Sequence, residues 1–365
     1  MEHQRPHLDR GPGAGTNAKQ AAPHVEAPRF LRSWEKRRPI WLVEMIAEFW
    51  GVFIYTFCGV GATAAFTVTA AAKLTGCGGV LNISIAYGLG IVFAITIAGP
   101  VSGGHLSPAY TLAFTLFKGF PARKALQYIV AQLLGGFVAV LCVYGQYKQE
   151  IDEITDAILA ATMGNTAISD PLIFSPFGPA GILAIYPAPG QLLRYVFLNE
   201  LMITIVLAII VFTVIDSTNA FVSISSGPWI IGAAYLAIIV AFANDTAALN
   251  TARDFGGRLA CMAIFGRGAF NSNKSYAALA CLTNILGTLL GAAIQVFWLS
   301  DHRRPVITQF PGNARTHAAN PSASEDGIVS GPNHSTNGFS EKNANHSAPE
   351  HNEYHPQVHP QVHSM

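Results

Sequence analysis

Residues 247–258 read AALNTARDFGGR and residues 102–111 read SGGHLSPAYT, two short polar runs set into a strongly apolar chain. The first run gathers Arg253, Asp254 and Arg258 within six positions. An ionisable side chain at membrane depth is costly, and it marks either a pathway or a buried brace. The group as a whole is therefore expected to line and brace a pore. His105, in the second run, is open to two readings: a pH-sensitive gate, or a loop-packing histidine bonded to backbone. No Ser/His/Asp set, phosphate-cradling loop or metal-ligand spacing stands out, so neither an enzyme nor a bound cofactor or metal is expected. Cys58, Cys77, Cys142, Cys261 and Cys281 form no C-x-x-C pair and are read as small core hydrophobes.

The surrounding composition says what must position these residues. Of 365 residues, 51% are hydrophobic and 12% charged, about half the charge of an ordinary soluble domain. A net charge of +1 gives no electrostatic case for nucleic acid as a partner. A membrane-crossing helix takes ~20 apolar residues, and six stretches qualify: 43–66, 80–99, 125–146, 193–215, 224–243 and 276–299. Two further apolar pieces, 107–117 and 250–264, are too short to cross. Half-helices of that kind survive in a bilayer only where their irregular backbone is buried or faces a water-filled cavity.

The two halves of the chain echo each other. VEMIAEFWGVFIYTF opens the first and RYVFLNELMITIVLA the second, each with a glutamate, Glu48 or Glu200, early in a span. Each half then carries a second span, a polar triplet leading a half-helix, and a third span. Three spans per half invert the topology of the second half, which brings the half-helix N-termini together near the midplane. The expected fold is an all-α membrane protein of six transmembrane helices and two re-entrant half-helices in an inverted repeat. Glu48 and Glu200 are read as acceptors for the unpaired N–H groups of the two broken helices, with proton coupling as the alternative. Glycines such as Gly59, Gly61, Gly88 and Gly232 suit close helix contacts.

Basic residues cluster at Arg29, Arg32, Lys36, Arg37 and Arg38, at Lys118, Arg123 and Lys124, and at Arg303 and Arg304. Glu150, Asp152, Glu153, Asp156 and Asp170 share the long connection on the other side. That asymmetry puts both termini in the cytosol. Residues 1–40 and 303–365 are polar and read as disordered tails flanking a channel-like domain over 41–302. Histidines in the C-terminal tail could bind metal or sense pH, but a solvated tail explains them as well. The sequons at Asn333 and Asn345 fall in this cytosolic tail, where no glycosylation is expected.

Over about residues 43–300 the chain resembles the major intrinsic proteins, the aquaporins and aquaglyceroporins. SGGHLSPAYT is similar to the family's first loop, Ser-Gly-Gly-His-x-Asn-Pro-Ala-x-Thr, and LNTARDFGGR to its second, which centres on Asn-Pro-Ala-Arg. The two triplets here are Ser107-Pro108-Ala109 and Asn250-Thr251-Ala252: serine stands in place of asparagine in the first, threonine in place of proline in the second. A serine hydroxyl offers one donor where an asparagine amide offers two, so the donors at the midpoint become asymmetric. Asp254 and Arg258 match marks of the family's glycerol-permeable branch, as does GILAIYPAPG before the fourth span. Asn284 departs from that branch, which usually has proline there.

Counting from the motifs, the resemblance implies a constriction of Tyr87, Ile238, Ala247 and Arg253. It further implies passage of water and small uncharged solutes, glycerol among them with urea or hydrogen peroxide, and a homotetramer in the lipid bilayer, in the plasma membrane in preference to the vacuole. An uncharacterised-intrinsic type of channel is the nearest alternative. From other classes, a gradient-coupled transporter would share the inverted repeat, and a non-conducting scaffold would share everything but an open pore.

Overall fold

In a computed structural model of the protein, residues 27–74, 78–244, 246–273, 276–301 and 303 are described. Contacts divide the chain into two units, Met1–Ala319 and Asn320–Met365, and every described residue belongs to the first. Cys77, the sequons and the histidine-rich C-terminal segment lie outside the described residues.

All regular structure among the described residues is helical. A short helix α1 (Arg29–Arg37) leads into α2 (Ile40–Ala71) and α3 (Val80–Ser102). The half-helix α4 (Pro108–Lys118) follows, then α5 (Ala122–Gln146). The long connection folds into α6 (Lys148–Ala161), α7 (Thr166–Ile173) and α8 (Pro179–Leu183). The second half contains α9 (Leu193–Val214), α10 (Gly227–Phe242), the half-helix α11 (Thr251–Phe265), α12 (Gly268–Asn271) and α13 (Tyr276–Ile294). α13 ends in a π-helical turn, Gln295–Leu299.

Five helices among the described residues are long and apolar enough to cross a bilayer. The sixth expected span is the shorter α10, of 16 residues, about 24 Å at ~1.5 Å per residue against a hydrocarbon core of ~30 Å. Residues 243–244 and 246–250 between it and α11 are non-helical. The N-terminal segment also differs from expectation, because residues 29–37 are helical where the sequence reading had a disordered tail. Phe30, Leu31 and Trp34 project from α1 as exposed apolar groups, while Arg29, Arg32 and Lys36 lie around the other side of a 3.6-residue turn and Arg37 sits at the edge of the apolar stripe.

The inverted repeat appears in matched local geometry. Each half-helix is preceded by a leucine in the left-handed region, Leu106 and Leu249, both at φ 54. Each begins at an extended N-cap residue, Ser107 at φ −157 and Asn250 at φ −150. Pro108 at the first helical position of α4 has the φ the helix needs and no N–H to leave unpaired. Gly119 ends α4 with φ 70 and Gly266 ends α11 with φ 80, values that glycine adopts without Cβ strain. Where α3 crosses α10, Gly88 and Gly232 meet backbone to backbone: a Cβ on Gly88 would lie 2.8 Å from the Gly232 carbonyl oxygen. Gly61 has open space beside it and makes no such contact.

One apolar core joins α2, α3, α4, α9, α10 and α11 around the two leucines. A second packs α6, α7 and α8 with the segment through Tyr186 against α2, α5 and α11, so the long connection is seated on the bundle. Cys261 and Cys281 are buried, as small core hydrophobes should be, whereas Cys58 is half-buried and Cys142 is exposed. The exposed leucines, isoleucines and phenylalanines of α2, α3, α5, α9 and α13 face outward from the bundle, a surface suited to lipid or to other subunits.

Candidate functional site: a cavity ending at two opposed half-helices

The glutamates hold the loops. Glu48 is fully buried and accepts from the N–H groups of His105 (2.9 Å) and Leu106 (2.7 Å), from Ser102 Oγ (2.5 Å) and from Gln132 Nε2 (2.8 Å). Glu200, equally buried, takes the Ala248 N–H on both oxygens, at 2.9 and 3.1 Å, with the Tyr276 hydroxyl at 3.4 Å. Both carboxylates thus satisfy backbone donors that a broken helix leaves without partners. His105 packs among Phe114, Phe120 and Tyr128, and its Nδ1 lies 3.3 Å from Thr111 Oγ1, a side-chain hydroxyl where a backbone partner was expected.

The half-helix N-termini meet through Asn250. Its Oδ1 accepts from the Ala252 N–H at 2.8 Å, capping α11, while its Nδ2 donates to the Leu106 carbonyl across the repeat, also at 2.8 Å. One amide N–H remains for the cavity that Asn250 lines. Ser107 makes no corresponding cap, and its buried hydroxyl has no hydrogen-bond partner among the described residues. The serine-for-asparagine change therefore leaves one half of the junction bonded and the other half free.

A cavity of about 150 Å³ runs down to this junction. Tyr87, Ala247, Asn250 and Arg253 line it, together with Tyr55, Ile91 and Ile185. Arg253 donates from Nε to the Tyr87 hydroxyl at 2.8 Å and from Nη1 to the Leu183 carbonyl at 3.3 Å. Among the described residues it has no carboxylate within ion-pair distance. Its guanidinium is thus oriented by neutral acceptors beside the cavity, with no direct ion pair among the described residues. Gly59 makes room for the Tyr87 ring, which a Cβ there would overlap.

Ile238 is not where the motif count put it. Tyr235 and Ile239 of α10, with Ala243 just past its end, line the cavity, and Ile238 is not among the lining residues although it is buried in the same apolar core as Ile239. Ile239 thus takes the apolar wall position. A fixed offset from Asn250 could not detect this, because α10 ends at Phe242 and the length of the segment between it and Asn250 sets the register.

Asp254 and Arg258 brace the site and do not line it. Arg258 Nε meets Asp254 Oδ2 at 2.6 Å, and both side chains are almost wholly buried. Arg258 also donates to the carbonyls of Ala269 (3.0 Å) and Ile185, and its guanidinium lies over the rings of Tyr186 and Tyr276. Asp254 Oδ1 accepts from the Ile185 N–H at 3.3 Å. The pair therefore fastens the connection before α9 to α11, and with it the Leu183 carbonyl that orients Arg253. Sequence reasoning missed these carbonyl contacts. The signal available was GILAIYPAPG itself, too apolar for a solvated loop.

Two inverted three-span halves, half-helices abutting at mid-bundle and a cavity lined by a guanidinium with no direct ion pair among the described residues define a membrane channel of the inverted-repeat class. The chain belongs to the major intrinsic protein family, whose family model matches residues 35–299. An aquaporin of Laccaria bicolor is 40% identical over 295 residues, covering 79% of this chain and 94% of its own. Aquaglyceroporin-2 of Rhizophagus irregularis is 32% identical over 253 residues, covering 69% and 75%. Among solved structures, the aquaglyceroporin from Plasmodium falciparum superposes with a TM-score of 0.58 at 26% identity, over 71% of this chain and 97% of that one.

Proposed function

We propose that this protein is a passive channel for water and small uncharged solutes, glycerol among them, with a constriction formed by Tyr87, Ile239, Ala247 and Arg253. The observation that carries the reading is the Asn250 Nδ2 to Leu106 carbonyl bond, which ties the two half-helices end to end at the floor of a cavity bounded by Arg253. Both helix N-termini then direct their positive dipole ends at one point of the conduit. A cation there meets the dipole ends and the guanidinium together, while a neutral hydroxyl finds N–H donors on one side and the apolar face of Ile239 on the other. Aquaglyceroporins among the relatives support glycerol as a permeant. Both termini are assigned to the cytosol on the distribution of basic residues. Assembly as a homotetramer and residence in the plasma membrane follow the family resemblance.

The test is stopped-flow light scattering on proteoliposomes under water, glycerol, urea and hydrogen peroxide gradients. Faster downhill flux than in empty vesicles is expected, with Arg253→Ala loosening cation exclusion and Ser107→Asn leaving water flux similar. Absence of flux for every solute, or flux that appears only with an imposed pH or sodium gradient, would overturn the reading.

A further inference from the structure

The nine residues of α1 are all exposed, and the helix has no side-chain cap bond at its start. A helix that short is marginal in water when nothing packs against it, so it needs a surface the bundle does not supply. The break after it sets its direction. Arg38 and Pro39 are both extended, at ψ 127 and ψ 134, the conformation a proline favours in the residue before it. Pro39 also has no N–H to carry the helical ladder onward. α1 therefore leaves the axis of α2 instead of prolonging it.

At about 100° per residue, Phe30, Leu31 and Trp34 share one arc of about 100°, and Arg29, Arg32 and Lys36 occupy a narrower arc opposite it. Arg37 edges the apolar arc, where its stem can lie along the boundary with its charge in water. The exposed apolar surface continues into the first turn of α2 through Ile40 and Trp41, and α2 is long and apolar enough to cross a bilayer. The face of α1 is thus continuous with a surface suited to lipid.

Charge selects what covers that face. The Lys124–Glu44 ion pair, at 2.8 Å, places the start of α5 beside the start of α2, and Arg38, Lys118 and Arg123 are exposed near it. Glu35 is the single acid on α1, whereas Glu150, Asp152, Glu153 and Asp156 belong to α6, beyond the other end of α5. A second copy of the chain would bring the same positive charge to the contact and be repelled. A leaflet of anionic headgroups gains from each Lys or Arg near its surface, and tryptophan settles at headgroup depth.

We infer that α1 is an interfacial anchor lying along the leaflet at the N-terminal side, with Phe30, Leu31 and Trp34 at the acyl boundary and its basic residues among anionic phospholipid headgroups. The anchor requires only that α2 spans a bilayer, so it stands apart from what the conduit passes.

Hydrogen exchange of the full chain in nanodiscs tests it, phosphatidylcholine alone being compared with phosphatidylcholine mixed with phosphatidylserine. Amides of Arg29–Arg37 should exchange at least about tenfold more slowly in the phosphatidylserine discs, and high salt should shrink that difference. Arg29→Gln, Lys36→Gln and Arg37→Gln together should remove most of the lipid dependence, since glutamine keeps the helix propensity and loses the charge. Leu31→Asp with Trp34→Asp should release the segment in both discs. Unchanged exchange over Ala122–Gln146 in every sample reports an intact bundle. Equal exchange of Arg29–Arg37 in the two discs would overturn the anchor. Protection in neutral detergent as strong as in the phosphatidylserine discs would also overturn it, because a protein contact would then cover the helix. A parent that conducts neither water nor glycerol would remove the channel reading and leave the anchor standing.

Discussion

Thr251 Oγ1 donates to Asn284 Oδ1 at 2.8 Å, with the Cys281 carbonyl 2.9 Å away. These are two of the positions at which the chain departs from the pattern of the family it resembles, proline being usual at one in the second loop and at the other in the glycerol-permeable branch. Here they form a single contact between the start of α11 and the middle of α13. Asn284 is fully buried, and its Nδ2 turns back to the Ala280 carbonyl at 2.7 Å. Removing Thr251 alone leaves a buried acceptor without its donor, at a cost of about 1–3 kcal/mol. Thr251→Val and Asn284→Leu should therefore each lower the unfolding temperature in detergent, and the double variant should lose less than the two added together. A coupling of about 0.5 kcal/mol or more is the expected outcome, and strict additivity would show that the contact does not stabilise the junction.

Glu48 and Glu200 lead to a second prediction. Glu48→Ala strands the N–H groups of His105 and Leu106, and Glu200→Ala strands that of Ala248, each at about 1–3 kcal/mol. Both should reduce the yield of monodisperse protein on size exclusion. Replacement by glutamine keeps one acceptor oxygen and should recover part of that yield in each case. If alanine and glutamine behave alike, the carboxylates do not hold the loops.

The paired loops, the matched glutamates and the half-helices at Pro108–Lys118 and Thr251–Phe265 were legible in the sequence. Each rests on local residue types: a helix-starting proline, a cap residue, an acid at a fixed place in an apolar span. Ile239 was not legible, because its facing depends on how many residues separate α10 from Asn250 and on the conformation they take. Nor were the bonds from Arg253 and Arg258 to the Leu183 and Ile185 carbonyls, since backbone acceptors carry no residue signature. The shortness of α10 was hidden for a related reason: apolar residues on either side of a helix end look alike in composition.

Asp216 gives a prediction for pH. It lies beyond the end of α9, half-buried, and burial opposes its charge. Its oxygens nonetheless accept from the Thr218 N–H and Oγ1, from Ser300 Oγ at 2.9 Å and from Gln295 Nε2 at 3.2 Å, and these bonds hold the carboxyl below the ordinary aspartate range. A carboxylate depressed in the folded state adds stability in full above its unfolded value of ~3.9 and loses it as pH falls through the lower folded value. Unfolding temperature should thus decline more steeply below about pH 4 in the parent than in Asp216→Asn. The variant should melt lower at neutral pH, and hydrogen exchange should report fraying at Gln295–Leu299. Parallel pH profiles for the two proteins would rule out this role.

The buried pair of Asp254 and Arg258 separates bracing from conduction. Arg258→Met leaves the Asp254 carboxylate in the core without its counter-ion, a change that typically costs about 3–5 kcal/mol. The accompanying Asp254→Asn removes the stranded charge and should restore much of that stability. Function should not return with it, because the Arg258 bonds to the Ile185 and Ala269 carbonyls are still missing. With that connection loosened, the Leu183 carbonyl that orients Arg253 is no longer fixed. The double variant should therefore be folded yet pass ions or larger solutes that the parent excludes, read as ionic conductance or flux of a longer polyol in the same vesicles. Parental selectivity in a stable double variant would show that Arg253 keeps its orientation without the brace.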